Sequence, residues 1–282
     1  MSSLKRNVLK SFVHLLGTGL RLAGDMGIQI SSALAEELTP VITAKTKNGV
    51  LYFFCPGRLP VFRAETLLTK EPETIEWIDG FEENSVFWDI GANVGVYSLY
   101  AGMKKGVEVV AFEPATPNLY VLNRNIEINR LEEKILALGI AFNDVTQLDY
   151  FYMGNTEIGS ALHSFSQATD WKGESFSPKF KQGMVGFAID DFVESFDPKF
   201  PTHIKIDVDG IENKIVEGGR KTIADSRLQS MLVELDESQP KVTLPVISAI
   251  EKAGLKLSAK KSTSMLEGSQ FANVYNYFFW RS

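Results

Sequence analysis

Residues 86–102, VFWDIGANVGVYSLYAG, constrain the fold of this chain more than any other stretch. An apolar run ends in a turn with two glycines and passes at once into helical spacing. A strand feeding a tight turn and then a helix satisfies that order. Such a βα unit presents helix N–H groups and a close-lying backbone at one edge of a sheet. On the turn alone, a ligand cradle and a plain connection are both open.

The glycine spacing narrows the choice. A dinucleotide fold calls for G-x-G-x-x-G, whose second glycine makes room for a pyrophosphate. Here the pattern is D-x-G-x-x-x-G, with Asp89, Gly91 and Gly95, and Asn93 and Val94 fill the places where pyrophosphate wants only hydrogen. An acid at the strand end repels phosphate and suits a ligand with an ammonium group. S-adenosylmethionine has a sulfonium, an amino acid end and no phosphate. Asp89, Gly91, Asn93 and Gly95 are therefore candidate cofactor contacts. The next apolar run, Val107 to Phe112, ends on Glu113. A carboxylate there is placed to accept two hydrogen bonds from ribose hydroxyls, a device shared by nicotinamide and adenosyl ligands. Thr116 then reads as an N-cap with Pro117 at the first helical position.

The rest of the chain alternates. KILALGIAF (134–142) reads as a third strand and HIKIDVDG (203–210) as a fourth. IENKIVEGG (211–219) opens a helix that stops at Gly218 and Gly219, and MLVEL (231–235) is a fifth strand. A helix marked by Val246, Ile247 and Ile250 ends at Gly254, and LKLSAKKS and VYNYFFW close the chain as an antiparallel edge pair. Alternation of this kind predicts an α/β fold with a doubly wound, mainly parallel sheet. With 282 residues, 44% of them hydrophobic, the chain is long enough for one such domain and an elaboration. The expected division is an extension over 1–83 and the main domain over 84–282, with an insertion near 150–200.

The fourth strand carries Lys205 where a buried strand residue belongs, and an unpaired buried ammonium is costly, so a carboxylate partner is expected. Asp207, Asp209 and Glu212 gather at its C-terminal end, the edge where open α/β sheets bind ligands. Helix capping accounts for one of these acids, not for three beside a lysine.

Together DIGANVGVYS, AFEP and IKIDVDGIE, in that order, resemble the FkbM-type methyltransferases. The stretch KEPETIEWID (70–79) resembles that family's lead-in helix, and the likeness spans about residues 63 to 236. One departure is DVDG where the family more often has DVEG. The resemblance implies a Rossmann-like class I fold with a seven-stranded sheet of order 3-2-1-4-5-7-6, the last strand antiparallel. It implies S-adenosylmethionine as cofactor, Glu113 on the ribose, and Gly91 and Gly95 beside the methionine portion. It implies that Phe142, Asn143 and Asp144 flank the adenine. Asp89, Asp207 and Glu234 would end neighbouring strands within reach of Lys205.

A hydroxyl acceptor needs a base or a metal to handle its proton. Asp207 and Asp209 are the candidates, as base or as oxygen ligands to Mg²⁺, and His163 is a second candidate base. Tyr150, Tyr152, His163, Trp171, Phe176 and Phe180 make the 150–200 insertion aromatic, as a lid over a sugar, glycan or secondary metabolite would be. O-methylation of such a hydroxyl is what the resemblance implies. A nicotinamide-dependent oxidoreductase and an inactive cofactor-binding scaffold are the alternatives.

Net charge is −6, which gives no electrostatic case for nucleic acid. Cys55 is the only cysteine, so no intrachain disulfide or multi-cysteine metal site forms. Met1 to Gly24 holds Lys5, Arg6, Lys10 and Arg21 and no acid, with Phe12, Leu15, Leu16 and Leu20 near helical spacing. The sequence favours a helix packed on the domain or in a homodimer over one touching a membrane surface. His14 interrupts the apolar core that a secretory signal needs, so a cytoplasmic location is expected.

Overall fold

Side chains along a strand alternate between faces, and that alternation sorts the apolar residues of this chain into two cores. The computed structural model describes residues 3–169, 174–262 and 272–281. It divides into two compact units, residues 1–40 and 41–282.

The first unit consists of α1 (Ser3–Leu22) and α2 (Gly24–Glu37). Gly24 has φ +56°, a left-handed conformation that breaks the helix between them. Gly27 is buried against α1: a Cβ there would lie 1.7 Å from the Leu20 carbonyl oxygen.

The second unit opens with the hairpin β1 (Val41–Thr46) and β2 (Gly49–Phe54), then α3 (Arg58–Glu65) and α4 (Pro72–Asp79). The alternating part runs β3 (Val86–Ile90), α5 (Val96–Gly102), β4 (Glu108–Phe112), α6 (Thr116–Asn129) and β5 (Ile135–Leu138). Next come β6 (Ala141–Phe142), β7 (Gln147–Met153), β8 (His163–Phe165), β9 (Phe180–Phe187) and α7 (Ile189–Phe196). The chain closes with β10 (His203–Ile206), α8 (Glu212–Gly218), α9 (Arg220–Ala224), β11 (Ser230–Asp236), α10 (Pro240–Lys252), β12 (Leu255–Ser262) and β13 (Val274–Arg281).

The main sheet has seven strands in the order β12-β13-β11-β10-β3-β4-β5. Counted along the chain, that is 3-2-1-4-5-7-6, and β13 runs antiparallel to both its neighbours. On one face Phe87, Val109 and Ala111 pack with Leu51, Phe53, Trp77 and Phe278. On the other, Trp88, Ile90, Val110 and Phe112 pack with Ile204, Ile206, Val233 and Phe279.

Two local expectations are corrected. The run 134–142 is not one strand: β5 ends at Leu138, and β6 pairs with β9 in a second, four-stranded sheet of order β6-β9-β7-β8. Gly139 lies at the break, where a Cβ would meet Leu119 at 2.7 Å. Thr116 does not cap α6 but is its first residue, behind Ala115, and its hydroxyl donates to Gln182 instead.

Candidate active site

The C-terminal ends of β3, β4, β10 and β11 open onto a cavity of about 460 Å³, lined among others by Gly91, Asn93, Glu113, Phe142, His163, Asp207, Asp209 and Glu234. That edge of a parallel sheet is where ligands bind in open α/β folds.

The glycine turn is closed on itself. The N–H groups of Gly91 and Ala92 both donate to the Phe112 carbonyl at 3.0 Å, and Gly95 N–H donates to the Ala92 carbonyl at 2.8 Å. Asn93 N–H donates to Glu113 Oε2 at 2.7 Å, and Val94 N–H to Asn93 Oδ1 at 3.0 Å. Every N–H from 91 to 95 is therefore committed, and none is left to hold a phosphate. Gly91 (φ +88°) is needed because a Cβ would fall 2.0 Å from the Asp207 carbonyl oxygen, so its side-chain space faces the fourth-strand turn. Gly95 (φ +85°) lies outside the cavity lining, and a Cβ there would meet Leu122 at 2.3 Å.

Glu113 is buried and lines the cavity. Besides Asn93 it accepts from Ala115 N–H at 2.8 Å, and burial pushes its carboxyl up to about 7 against those bonds. Phe142 stacks in the core beside Trp88 and Phe112 and reaches the cavity wall. Asn143 is buried but outside the lining, and Asp144 is exposed outside it.

Around Lys205 a charge network sits at the ligand end of the face that carries Phe87 and Phe278. Lys205 is 1% exposed, pairs with Asp207, and stands opposite Asp89 in the β10–β3 register. Burial opposes its charge, but Asp207, Asp89 and Glu71 hold the ammonium above its ordinary value. Burial likewise works against Asp207, yet Lys205 and Lys70 bring it down to about 2. Asp89 is buried outside the cavity lining, hydrogen-bonded to Ser98, and raised by burial. From α4's leading edge, Lys70 and the fully buried Glu71 pair with each other, and Lys70 also lines the cavity. Burial raises Glu234 well above the ordinary carboxylate range, with Asp207 adding to it.

The opposite wall is the segment between β7 and β8. Arg63 Nε and Nη2 donate to the Gly159 carbonyl at 3.0 and 2.9 Å. Asn118 accepts from Gly159 N–H at 2.7 Å and donates to the Ser160 carbonyl at 3.0 Å, which also accepts from Asn93 Nδ2 at 2.9 Å. Asp209 then holds the backbone of Leu162 and His163 through one carboxylate oxygen, at 2.6 and 3.1 Å. Burial is the main cause that raises Asp209 to about 6. His163, so fixed, is 8% exposed, and neither ring nitrogen makes a well-formed hydrogen bond. Burial lowers its pKa, with a partial offset from the Leu162 backbone.

Of the aromatic residues expected over the acceptor, His163 lines the cavity; Tyr150, Tyr152, Phe176 and Phe180 do not, and Trp171 lies outside the described residues. Phe151 and Phe165 line it instead. In β7, Phe151 and Met153 point inward, so the tyrosines at 150 and 152 face the other way. Arg63, Lys70, Asn118 and Ser160 were not singled out from sequence; Lys70 opens the stretch that resembles a lead-in helix, and the others carry no local signal. Among the described residues, no group of three or more His, Cys, Asp or Glu side chains is arranged to hold a metal ion.

The seven-stranded, mainly parallel sheet with its ligand edge at the ends of β3, β4 and β10 is a Rossmann-like α/β arrangement, the architecture of class I methyltransferases. The Methyltransferase FkbM domain model matches residues 89–277, about two thirds of the chain, and the chain belongs to that family. Among solved structures it is similar to a precorrin-6y C5,15-methyltransferase from Geobacter metallireducens GS-15, at 12% identity and a TM-score of 0.44, over 78% of this chain and 89% of that one. It is similar to the methyltransferase domain of METTL16 at 13% identity and a TM-score of 0.46, over 85% and 86%. TrmK from M. capricolum, in complex with S-adenosyl-homocysteine, is similar at 9% identity and a TM-score of 0.41, over 74% and 67%. A comparison with curated proteins gives no match.

Proposed function

We propose that this chain methylates a hydroxyl of a sugar, a glycan or a secondary metabolite, with His163 as the base. One observation carries the proposal: His163 is buried in the cavity wall with both ring nitrogens unpartnered among the described residues. A buried imidazole normally finds a partner, and a neutral one with an unpartnered nitrogen has a lone pair free to accept a proton.

The residues of the cavity suit the donor. S-adenosylmethionine supplies a methyl group already activated on a sulfonium. Glu113 would hold the ribose hydroxyls, Phe142 would border the adenine, and Asp207 with Glu234 would face the ammonium. Arg63 and Lys70 line the same cavity and offer cations to the carboxylate. Asn143 and Asp144 lie outside the lining, which supports no role for them at the adenine. Asp89 acts at one remove, through Lys205 and Ser98.

Asp207 is a weak base because Lys205 keeps it ionised and unwilling to bind a proton. Asp209 is better matched in pKa, but its oxygen is engaged by two backbone N–H groups. It therefore positions His163, whose free nitrogen would take the acceptor's hydroxyl proton as the O–CH₃ bond forms and the methyl–sulfur bond of the donor breaks. The committed N–H groups of the turn speak against a nicotinamide dinucleotide, and net charge −6 against a nucleic acid acceptor.

Calorimetry tests the donor site. The expected result is that the wild type binds S-adenosylmethionine and not NAD, and that Glu113→Ala weakens binding by ~1–3 kcal/mol, as for a lost charge-assisted hydrogen bond. Unchanged affinity in a folded variant removes Glu113 from the ribose.

A further inference from the structure

Helix α1 is amphipathic in a way that the methyltransferase domain does not require. At 100° per residue, Val8, Leu9, Phe12, Val13, Leu15 and Leu16 fall on one half of the circumference, Lys10, His14, Thr18 and Arg21 fall on the other with Arg6 at its border, and Lys5 alone of the basic residues falls at the N-terminal end of the apolar half. Within the first unit α2 leaves the apolar half uncovered: Phe12 is 65% exposed and Leu15 74%. Across its 20 residues the helix has four basic residues in sequence and no acid, in a chain whose net charge is −6.

We propose that α1 lies flat on an anionic lipid surface, apolar half in the acyl boundary and cationic half among the headgroups. The charge selects this occupant. A second copy of α1 would bring four like charges against four, with no acid to form an interhelical pair. The apolar arc is also broader than the narrow seam of a two-stranded coiled coil. An acidic protein would meet the cations but would not need an apolar half that runs unbroken from Val8 to Leu16, more than two turns at ~1.5 Å rise per residue. A lipid interface needs both. The helix does not cross the bilayer: no helix among the described residues is long and apolar enough. Basic residues close to an anionic surface then add to the apolar term and make binding sensitive to salt.

The test is co-sedimentation of the full chain with vesicles of phosphatidylcholine, with and without phosphatidylserine, alongside light scattering of the chain alone. The expected result is sedimentation with the phosphatidylserine vesicles that is reversed by salt. Phe12→Ser with Leu16→Ser abolishes it, and Lys10→Gln and Arg21→Gln each weaken it about fivefold. S-adenosylmethionine affinity reports folding of the main domain and stays unchanged in all three variants. Equal recovery in the supernatant with both vesicle types overturns the proposal. So does sedimentation that ignores the substitutions, or a dimer in solution that Phe12→Ser with Leu16→Ser dissociates.

Discussion

Asp209 and His163, far apart in the chain, are joined by a hydrogen bond from the His163 backbone N–H to the Asp209 carboxylate at 3.1 Å. The same oxygen takes the Leu162 N–H, so the acid after β10 fixes the segment that carries the imidazole into the cavity. The fourth-strand turn thereby sets the place of the proposed base without touching its ring.

That link has a pH signature. Asp209 is raised to about 6, so it ionises between roughly pH 5 and 7, and only the ionised form is a full-strength acceptor for both N–H groups. Turnover should rise with pH through about 6. Burial lowers the His163 imidazole below its ordinary value, and Asp209→Asn tests which of the two groups sets the acid limb. In Asp209→Asn that limb should move to lower pH, with a reduced plateau and donor affinity within about twofold of wild type, less than 1 kcal/mol. A pH–rate profile checks this, and an unmoved limb assigns it to another group.

His163→Gln should lower kcat by about 10²–10⁴-fold, the usual worth of general base catalysis, while leaving S-adenosylmethionine binding nearly intact. Single-turnover rates and calorimetry on one preparation separate the two effects. A variant with normal kcat means that the acceptor proton leaves by another route.

The Lys205 network makes a stability prediction. Asp207 has a folded pKa of about 2 against an ordinary 3.8, so its contribution is present above pH 3.8 and is lost as pH falls through about 2. Asp207→Asn should cost about 2 kcal/mol at neutral pH, below the ~3–5 of a fully buried broken pair, because Asp89 and Glu71 still face Lys205. Lys205→Met should cost more, since it leaves three acids without their shared cation. Each 1 kcal/mol is about 2–4 °C in Tm for a domain of this size. Thermal melts that rank Asp207→Asn as the more damaging change would reverse the assignment of Lys205 as the hub.

Much of this was legible because apolar period and glycine chemistry are local. The run ending at Asp89, the turn at Gly91 and the acid at Glu113 define the first two strands and the edge between them without any tertiary information. Lys205 stood out because an ammonium inside an apolar strand demands partners, and Asp207 lay two residues away. What sequence did not give were contacts made across distance. Asn118 and Arg63 hold the Gly159–Ser160 backbone from 41 and 96 residues away, through side chains with no periodic signature. Gly91 was legible as a glycine, but its reason was not: the crowding comes from the Asp207 carbonyl of another strand. In β7 the tyrosines drew notice by their chemistry, whereas the pleat turns Phe151 inward, and a single-residue shift in register decides which face is which.

The most direct test of the account is to supply S-adenosylmethionine labelled with ¹³C at the methyl group, with a panel of hydroxylated sugars and secondary metabolites, and to read the product methyl by NMR. The expected result is release of S-adenosylhomocysteine matched by a methoxy signal, lost in His163→Gln. A label that appears on nitrogen, sulfur or carbon, or a methoxy product that forms equally well without His163, would contradict it.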